Sequence, residues 1–196
     1  MLFVRRGEQS QALPNSFDAI SSLLHQDSIE KIFSLAGSEI REPALVVIER
    51  SIEVNSTKDR VWEIISDLEK EPEYWYGTKE CRTVSIEGNV VNREITQNFR
   101  NHKILQKAVL HPKDSIEIQY LKGLTEGTKV MSVESLSDGK QLVKVRWDVR
   151  FTGIYRLMTS YIRSHTEEGT IHALERIKQA AELTQDQSSE TQAHTI

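Results

Sequence analysis

Six stretches with the composition of β-strands follow one another between residues 82 and 152, and a short turn signal ends each of the first five. One signal, Ser137-Asp138-Gly139-Lys140, contains the Asp-Gly pair typical of a two-residue hairpin loop. Connections this short join antiparallel neighbours, because a parallel pair needs a long crossover. The chain is therefore predicted to form an antiparallel meander. The predicted strands are 82–87, 90–99, 104–111, 115–121, 128–136 and 141–152.

A further strand and a helix are predicted before this meander. From Val46 to Asn55 apolar and polar residues alternate, which indicates a half-buried strand. Ser56 then offers a capping hydroxyl, and Asp59 in the first turn suits the positive end of the helix dipole. The helix is expected to end before Pro72, which cannot continue it without losing a hydrogen bond.

A long helical tract is predicted after the meander, over residues 154–183, and its apolar face changes partway. On a helical projection Met158, Tyr161 and His165 fall on one side, with Gly169 at the end of that stripe. The apolar residues that follow centre roughly 140° away. Such a helix must bend to bury both stripes against one sheet, so a kink or break is predicted near Gly169.

The two ends of the chain differ from its middle. Residues 1–43 contain two short amphipathic stretches within residues 16–37 and are predicted to be a helical extension. That segment could dock on the domain, bind a protein partner or mediate self-association. Residues 184–196 are polar with few bulky side chains, so a disordered tail is predicted. The domain itself is expected to span residues 44–183.

Composition argues against several classes of function. The net charge of −4 gives no reason to expect the basic surface of a nucleic-acid-binding protein. A single cysteine excludes an internal disulfide framework and fits a reducing compartment. No apolar run reaches the roughly 18 residues of a membrane span, and the start M-L-F-V-R-R is too short for a signal peptide. The cytoplasm is the expected compartment.

Two runs of the sequence resemble the START-like (SRPBCC) superfamily, which includes lipid-transfer domains, birch-pollen-allergen-like proteins and polyketide cyclases/dehydrases. They are I-E-R-S-I-E-V-N-S-T-K-D-R-V-W-E-I-I-S-D-L-E-K-E-P-E-Y-W and G-T-I-H-A-L-E-R-I-K-Q-A-A-E. The resemblance covers about residues 45–183. It implies an α+β helix-grip fold, in which a curved antiparallel sheet of about seven strands wraps around the C-terminal helix. Two short helices follow the first strand, and a hydrophobic cavity is implied between sheet and C-terminal helix.

Three polar residues on faces predicted to point inward are candidates for orienting a ligand. Arg50 shares its face with Val46 and Ile48. Arg93 and Gln97 share a face with apolar residues of a later strand. A few polar groups in an apolar pocket can orient a ligand carboxylate or carbonyl. Alternatively, these groups reach solvent at a strand end or pair with a carboxylate, as a buried guanidinium requires.

Aromatic residues and the C-terminal helix complete the predicted ligand site. Aromatic side chains could line a pocket for a planar or isoprenoid ligand, although they also commonly form plain core. Trp147 lies on the inward face of a strand whose apolar and charged residues alternate regularly. The further candidate ligand-binding residues are Trp75, Tyr120, Met158, Tyr161 and His165.

Signals for catalysis and for metal binding are weak. Tyr161 and His165 are acid–base candidates, because cyclases of the superfamily need only two positioned groups. His165 and His172 are about 10.5 Å apart along an ideal helix, too far to share one metal ion unaided. The sequence contains no H-E-x-x-H motif and no phosphate-binding glycine loop. Neither a metal nor a cofactor is therefore expected.

A basic strip is predicted on the outer face of the sheet. Lys144, Arg146 and Arg150 alternate with the inward residues of their strand, and Lys129 is assigned to the same strip from the neighbouring strand. Such strips are usually solvated.

The expected function is binding or transport of a small hydrophobic ligand, such as a lipid, an isoprenoid or a polyketide-like molecule, in the implied cavity. A first alternative is an enzyme of the polyketide cyclase/dehydratase type, which requires titratable groups that converge in a wet cavity. A second alternative is a protein-interaction module with a vestigial cavity, which predicts a small cavity and an exposed apolar patch.

Overall fold

The computed structural model describes residues 44–98, 100–122 and 125–193. The predicted helical extension over residues 1–43 lies outside this part of the chain, so its helices and its partner or self-association role remain predictions.

Seven antiparallel strands form one sheet in the described part of the chain. Their order is β1-β7-β6-β5-β4-β3-β2, so the predicted meander is confirmed and the first strand pairs with the last. The strands are β1 Val46–Val54, β2 Thr78–Glu87, β3 Val90–Gln97, β4 Lys103–His111, β5 Ser115–Lys122, β6 Thr125–Ser135 and β7 Gln141–Phe151.

The described helices complete the predicted α+β helix-grip fold. Helix α1 spans Lys58–Ser66, α2 spans Glu71–Tyr74 and the long C-terminal helix α3 spans Thr159–Ala193. Short 3-10 turns, Leu68–Lys70 and Gly153–Met158, precede α2 and α3.

The local chemistry at α1 differs from the prediction at both ends. Thr57, not Ser56, caps the helix, since its Oγ1 accepts a hydrogen bond from the backbone N–H of Arg60 at 3.2 Å. Ser56 is buried, and its hydroxyl donates to the carbonyl of Ala181 in α3 at 3.0 Å. Pro72 does not end α1 but lies in the first turn of α2, where the missing N–H leaves no hydrogen bond unmade.

Helix α3 continues through Gly169 without a break, but its burial changes at that point. Residues 159–169 are exposed or half-buried, whereas Thr170 and Leu174 are fully buried. A single exposed glycine costs a helix only about 1 kcal/mol relative to alanine, which does not interrupt it. The predicted change of apolar face along α3 is therefore seen as a change of burial after Gly169. The predicted bend of the helix remains a prediction.

The helix also extends to Ala193, so residues 184–193 are helical where the sequence predicted a disordered tail. This segment contains neither glycine nor proline. Adding residues to an existing helix needs no new nucleus, so a polar segment can continue it.

The core lies between the inner face of the sheet and the second half of α3. Val143, Val145, Val149 and Phe151 of β7 are all buried, as their alternation predicted, and Trp147 is half-buried among them. Residues Ala173, Leu174, Ile177 and Ala181 bring α3 into the main core. The first half of α3, where the cavity wall was expected, instead contributes Ile162 to a smaller cluster around Val46, Ile48, Val149 and Phe151.

Candidate functional site

A carboxylate and two cations are buried together against the inner face of the sheet. Glu71 of α2, Arg93 of β3 and Lys129 of β6 are only 7%, 1% and 1% exposed. Oε1 of Glu71 accepts a hydrogen bond from Nζ of Lys129 at 3.2 Å, and Oε2 accepts one from Nη2 of Arg93. These three residues are called the buried charge cluster below.

Strand alternation accounts for the position of both cations. Arg93 lies two positions before Ile95 on β3, and Lys129 lies two positions before Met131 on β6. Residues two apart share a face of a strand, so both side chains occupy the buried face. Glu71 reaches them from the first turn of α2, the four-residue helix that follows α1 and its 3-10 turn. Three separate elements therefore contribute one charge each.

Further contacts hold Arg93 in place. Its Nη1 donates to the carbonyl of Leu68 at 3.2 Å and lies 3.4 Å from Sγ of Cys81. The hydroxyl of Thr78 lies 3.5 Å from Oε1 of Glu71, the carboxylate oxygen that Arg93 does not contact. The Nε of Arg93 is buried and has no hydrogen-bond partner, so one donor of the guanidinium is unused.

Two tryptophan rings surround the amine of Lys129. Its Nζ lies 4.0 Å from the ring centroid of Trp75 and 5.1 Å from that of Trp147, within the range of cation–π attraction. The two indole rings are 5.8 Å apart in an edge-on arrangement, and Tyr120 lies 6.0 Å from Trp147. Aromatic surface thus encloses the charged end of the cluster.

The charges in the cluster stabilise one another against the effect of burial. Burial alone would raise the pKa of Glu71, but Arg93 and Lys129 together lower this pKa from 4.5 to about 2. Burial lowers the pKa of Lys129 below its ordinary value, and Glu71 only partly opposes this. Burial also acts against the charge of Arg93, yet Glu71 raises its pKa. With both cations protonated, positive charge exceeds negative charge by one.

A polar row extends the cluster across the inner face. Strand register places Gln106 of β4 directly opposite Arg93 on β3 and Tyr120 on β5. Gln106 is 1% exposed, and neither its Nε2 nor its Oε1 has a hydrogen-bond partner of ordinary geometry. Burial raises the pKa of Tyr120, so its hydroxyl stays protonated. A buried amide without partners costs about 1–3 kcal/mol, which makes this row a position for a further polar group.

The cavity next to the cluster is small. Its volume is about 20 Å³, counted as the space open to the centre of a water-sized sphere, where a single water needs about 10–15 Å³. This cavity therefore has room for roughly one water. Lining residues include Ile64, Leu68, Glu71, Trp75, Lys129 and Ile177.

The structure brings together four residues of the predicted ligand site. Arg93 binds Glu71 of the cavity wall, and Trp75 lines the cavity itself. Trp147 packs beside Lys129, and Tyr120 packs beside Trp147. Their roles toward a ligand remain predictions.

Arg50 is placed differently from this group. It is half-buried on β1, forms an ion pair with Glu167 of α3, and donates to the carbonyl of Glu49 at 2.7 Å. This agrees with the alternative in which Arg50 pairs with a carboxylate. Arg50 is not among the described residues that line the cavity.

The remaining candidates also lie outside the described lining of the cavity. Gln97 is half-buried at the end of β3, where it pairs with Thr78 of β2. Tyr161 and His165 contact each other edge-on, with ring centroids 4.3 Å apart, on the half-buried first part of α3. Met158 precedes them at the end of a 3-10 turn. The only part of α3 that reaches the described cavity wall is its second half, through Ile177.

Sequence reasoning missed three residues of the site. The prediction that Lys129 belongs to the outer basic strip is wrong, because its side chain lies on the inner face of the sheet. Its position two residues before the apolar Met131 indicates that inner face. It was overlooked because lysine is almost never fully buried unless paired. Gln106 likewise sits between apolar inward residues of β4. No sequence pattern indicates that Glu71 is buried, because a helix of four residues is too short to show an apolar periodicity.

Neither a metal site nor a membrane-spanning helix is found in the described part of the chain. No group of three or more His, Cys, Asp or Glu side chains is arranged to hold a metal ion there. The helices described there include none with both the length and the apolar character required to cross a membrane.

A family model described as polyketide cyclase / dehydrase and lipid transport matches residues 46–182 of the chain. This match extends from the first residue of β1 into α3, so it includes every member of the buried charge cluster. None of the curated proteins matches the chain.

Several solved structures share the fold. A protein from Thermus thermophilus aligns over 69% of this chain and 97% of its own, with 13% identity and a TM-score of 0.61. The Zhui aromatase/cyclase from Streptomyces aligns over 71% and 94%, with 13% identity and a TM-score of 0.59. A START superfamily protein from Mycobacterium smegmatis aligns over 69% and 99%, with 16% identity and a TM-score of 0.57. At these identities the likeness shows the fold alone.

Proposed function

The chain belongs to the family described as polyketide cyclase / dehydrase and lipid transport, and on that premise we propose that it binds a small, largely apolar molecule between sheet and α3. The observation that carries the proposal is the buried charge cluster on an otherwise apolar inner face. Ligand pockets commonly combine apolar walls with a few polar groups that fix orientation.

A purely structural role explains the cluster poorly. Replacing a buried ion pair by apolar side chains of similar volume is often neutral or stabilising by about 1–4 kcal/mol. The unused Nε of Arg93 and the amide of Gln106, which has no hydrogen bond of ordinary geometry, add to the cost of burial. These groups are better accounted for as contacts that a ligand completes.

Binding requires the interior to open, because the cavity of about 20 Å³ holds no more than roughly one water. Its walls come from α1, α2, the second half of α3 and the inner face of β5 and β6. Among these, α2 is the shortest element, with four residues. Local opening breaks fewest bonds where an element is short, so α2 is the expected gate once the ion pairs of Glu71 are released.

A cyclase-type enzyme is the second candidate. The specific observation in its favour is that titratable groups converge in the interior, with Lys129 Nζ 3.2 Å from Glu71 Oε1 and the hydroxyl-bearing Tyr120 nearby. In that case Lys129 and Glu71 replace Tyr161 and His165 as acid–base candidates, because only the former line the described cavity.

Ligand binding is tested on the full chain in two ways. Native mass spectrometry looks for a co-purified small molecule, and titration with the neutral fluorophore N-phenyl-1-naphthylamine measures apolar binding. Ile177→Phe fills the cavity wall and is expected to weaken fluorophore binding, whereas Ile171→Phe, on the exposed face of the same helix, leaves it unchanged. Equal binding by the two variants, with circular dichroism showing both folded, contradicts the proposal.

A further inference from the structure

We propose that the ligand carries a carboxylate that replaces the side chain of Glu71 on Arg93 and Lys129, so that Glu71 is an internal competitor of the ligand. This inference rests on the proposed function and adds the chemical class of the ligand and the element that it displaces.

The contacts of Glu71 show that a carboxylate fits between the two cations. One oxygen accepts from Lys129 at 3.2 Å and the other from the guanidinium of Arg93. Arginine donors match carboxylate geometry closely, and hydrogen bonds between charged groups are roughly twice as strong as neutral ones. A ligand carboxylate can therefore make the same two contacts with no rearrangement of β3 or β6.

A donor that Glu71 leaves unused favours a larger acceptor at the same position. The Nε of Arg93 is buried without a hydrogen-bond partner, whereas Gln106, opposite Arg93 in register on β4, interacts with the hydroxyl of Tyr120. An unsatisfied donor carries a desolvation cost that an added acceptor removes. A ligand with a second oxygen near its carboxylate satisfies a donor that the protein alone does not.

The charge of the site selects an anion over a neutral or cationic group. Arg93 and Lys129 together oppose only one carboxylate in a region where all three side chains are almost fully buried. Removing Glu71 without a substitute leaves two buried cations uncompensated, which is strongly unfavourable. A ligand that displaces Glu71 must therefore bring its own negative charge.

Helix α2 is the element that the exchange releases. Besides the bonds of Glu71, it is held by the packing of Trp75 and by Arg176, whose Nη1 donates to the carbonyl of Tyr74 at 2.6 Å. The other walls belong to the sheet and to the longer helices α1 and α3. Outward movement of α2 frees the cations and enlarges the cavity in a single step.

The aromatic residues around Lys129 suggest the rest of the ligand. Trp75 and Trp147 lie over its amine at 4.0 and 5.1 Å, and Tyr120 packs on Trp147 at 6.0 Å. A flat group attached to the carboxylate would stack among these rings. The ligand class is thus an aromatic or otherwise planar carboxylic acid.

The test compares benzoate with benzamide, its neutral analogue of the same shape, by titration calorimetry on the full chain. Glu71→Gln removes the competing charge while keeping the size of the side chain. We expect it to bind benzoate tighter than wild type by about tenfold or more, the scale of one charge-assisted hydrogen bond, with little change for benzamide. The matched control is Glu73→Gln, an exposed position of the same helix, which should bind like wild type.

The inference is overturned if Glu71→Gln binds benzoate no tighter than wild type, or if benzamide gains equally. Lys129→Met in the Glu71→Gln background should abolish the gain. If Glu71→Gln does not fold alone, refolding with each compound gives the answer: recovery in benzoate only supports the exchange, and equal or no recovery refutes it. Fluorophore binding without any benzoate preference leaves the proposed function standing, whereas absence of both in all variants removes both.

Discussion

Nζ of Lys129 lies 3.2 Å from Oε1 of Glu71, although the two residues are separated by 58 positions and belong to a central strand and a four-residue helix. With Arg93 on the other oxygen, this contact makes Glu71 the bridge between two buried cations. These ion pairs connect the four-residue helix α2 to strands β3 and β6 of the sheet. The predictions for stability and for its pH dependence follow from these ion pairs.

Glu71→Gln is expected to destabilise the folded state, because it leaves Arg93 and Lys129 buried without a counter-ion. Breaking a buried pair from one side typically costs about 3–5 kcal/mol. Urea unfolding monitored by circular dichroism measures the loss. Glu73→Gln, exposed on the same helix, should stay within about 0.5 kcal/mol of wild type, and equal losses at both sites would refute the assignment.

Acid should weaken the protein through Glu71. The pKa of its carboxyl group is lowered from 4.5 to about 2 in the folded state, so the unfolded chain binds the proton more tightly. The stabilisation is fully present above pH 4.5 and is lost as the pH falls towards 2, amounting to about 3 kcal/mol. Urea unfolding at pH 5 and pH 3 tests this. The decrease should be clearly smaller in Glu71→Gln, and an unchanged decrease would assign it to other carboxylates.

Lys129→Met and Arg93→Met should differ in cost. Methionine in place of Lys129 leaves Glu71 paired one to one with Arg93, so the change in stability should stay below about 1.5 kcal/mol. Arg93→Met likewise leaves one ion pair, Glu71 with Lys129, but it also removes the donor to the carbonyl of Leu68 and should cost about 1–3 kcal/mol more than Lys129→Met. Denaturant midpoints of the two variants decide this, and a loss for Lys129→Met as large as for Arg93→Met contradicts it.

Gln106→Met should stabilise the protein by about 1 kcal/mol, because it removes a buried amide that has no hydrogen-bond partner of ordinary geometry and interacts weakly with the hydroxyl of Tyr120. The thermal midpoint reports the gain, with Gln119→Met on the exposed face of β5 as the control. A loss of stability would show that the interaction of Gln106 with the Tyr120 hydroxyl outweighs the cost of burying the amide. If the ligand proposal holds, the same substitution should weaken ligand binding.

Two glycines should respond to alanine in opposite directions. Gly127 has φ +122°, and an added Cβ would lie 2.1 Å from the carbonyl oxygen of Asp148, so alanine must displace backbone. Gly169 has open space around it within α3, and alanine there should add about 1 kcal/mol of stability. Thermal unfolding of both variants tests the contrast. A destabilising Gly169→Ala would indicate that the predicted bend at this position matters to the fold.

The sheet was predictable because alternation and turn signals are local. The pattern of β6 and β7 predicted two strands and a hairpin between them, but the connection spans residues 136–140 and only Gly139 has positive φ, so it is not the two-residue turn that Asp138-Gly139 indicated. The burial of Arg93 was also predictable, since it shares a face with apolar neighbours. The match to the helix-grip fold then followed from the order of the elements.

The site was less predictable, because its chemistry depends on contacts across elements. Whether Arg93 meets solvent or a carboxylate is decided by Glu71, which a four-residue helix delivers from outside the sheet. The volume of the cavity depends on how Trp75 and Trp147 pack, and no local pattern records that. Sequence periodicity gives the direction of a side chain, and only tertiary packing gives its partner.

The pairing of β1 with β7 has a consequence for the order in which the domain can form. In the described sheet the first strand has no neighbour other than the last, and Ser56 bonds to Ala181, 125 positions away. Contacts this distant in sequence slow folding, since a long loop must close before they form. During synthesis β1 and α1 emerge early and must wait for residues 141–181. Until then both edges of β1 are open, and one of them stays open in the folded sheet, so its exposed Glu49 and Glu53 would help to keep the strand from pairing with other chains.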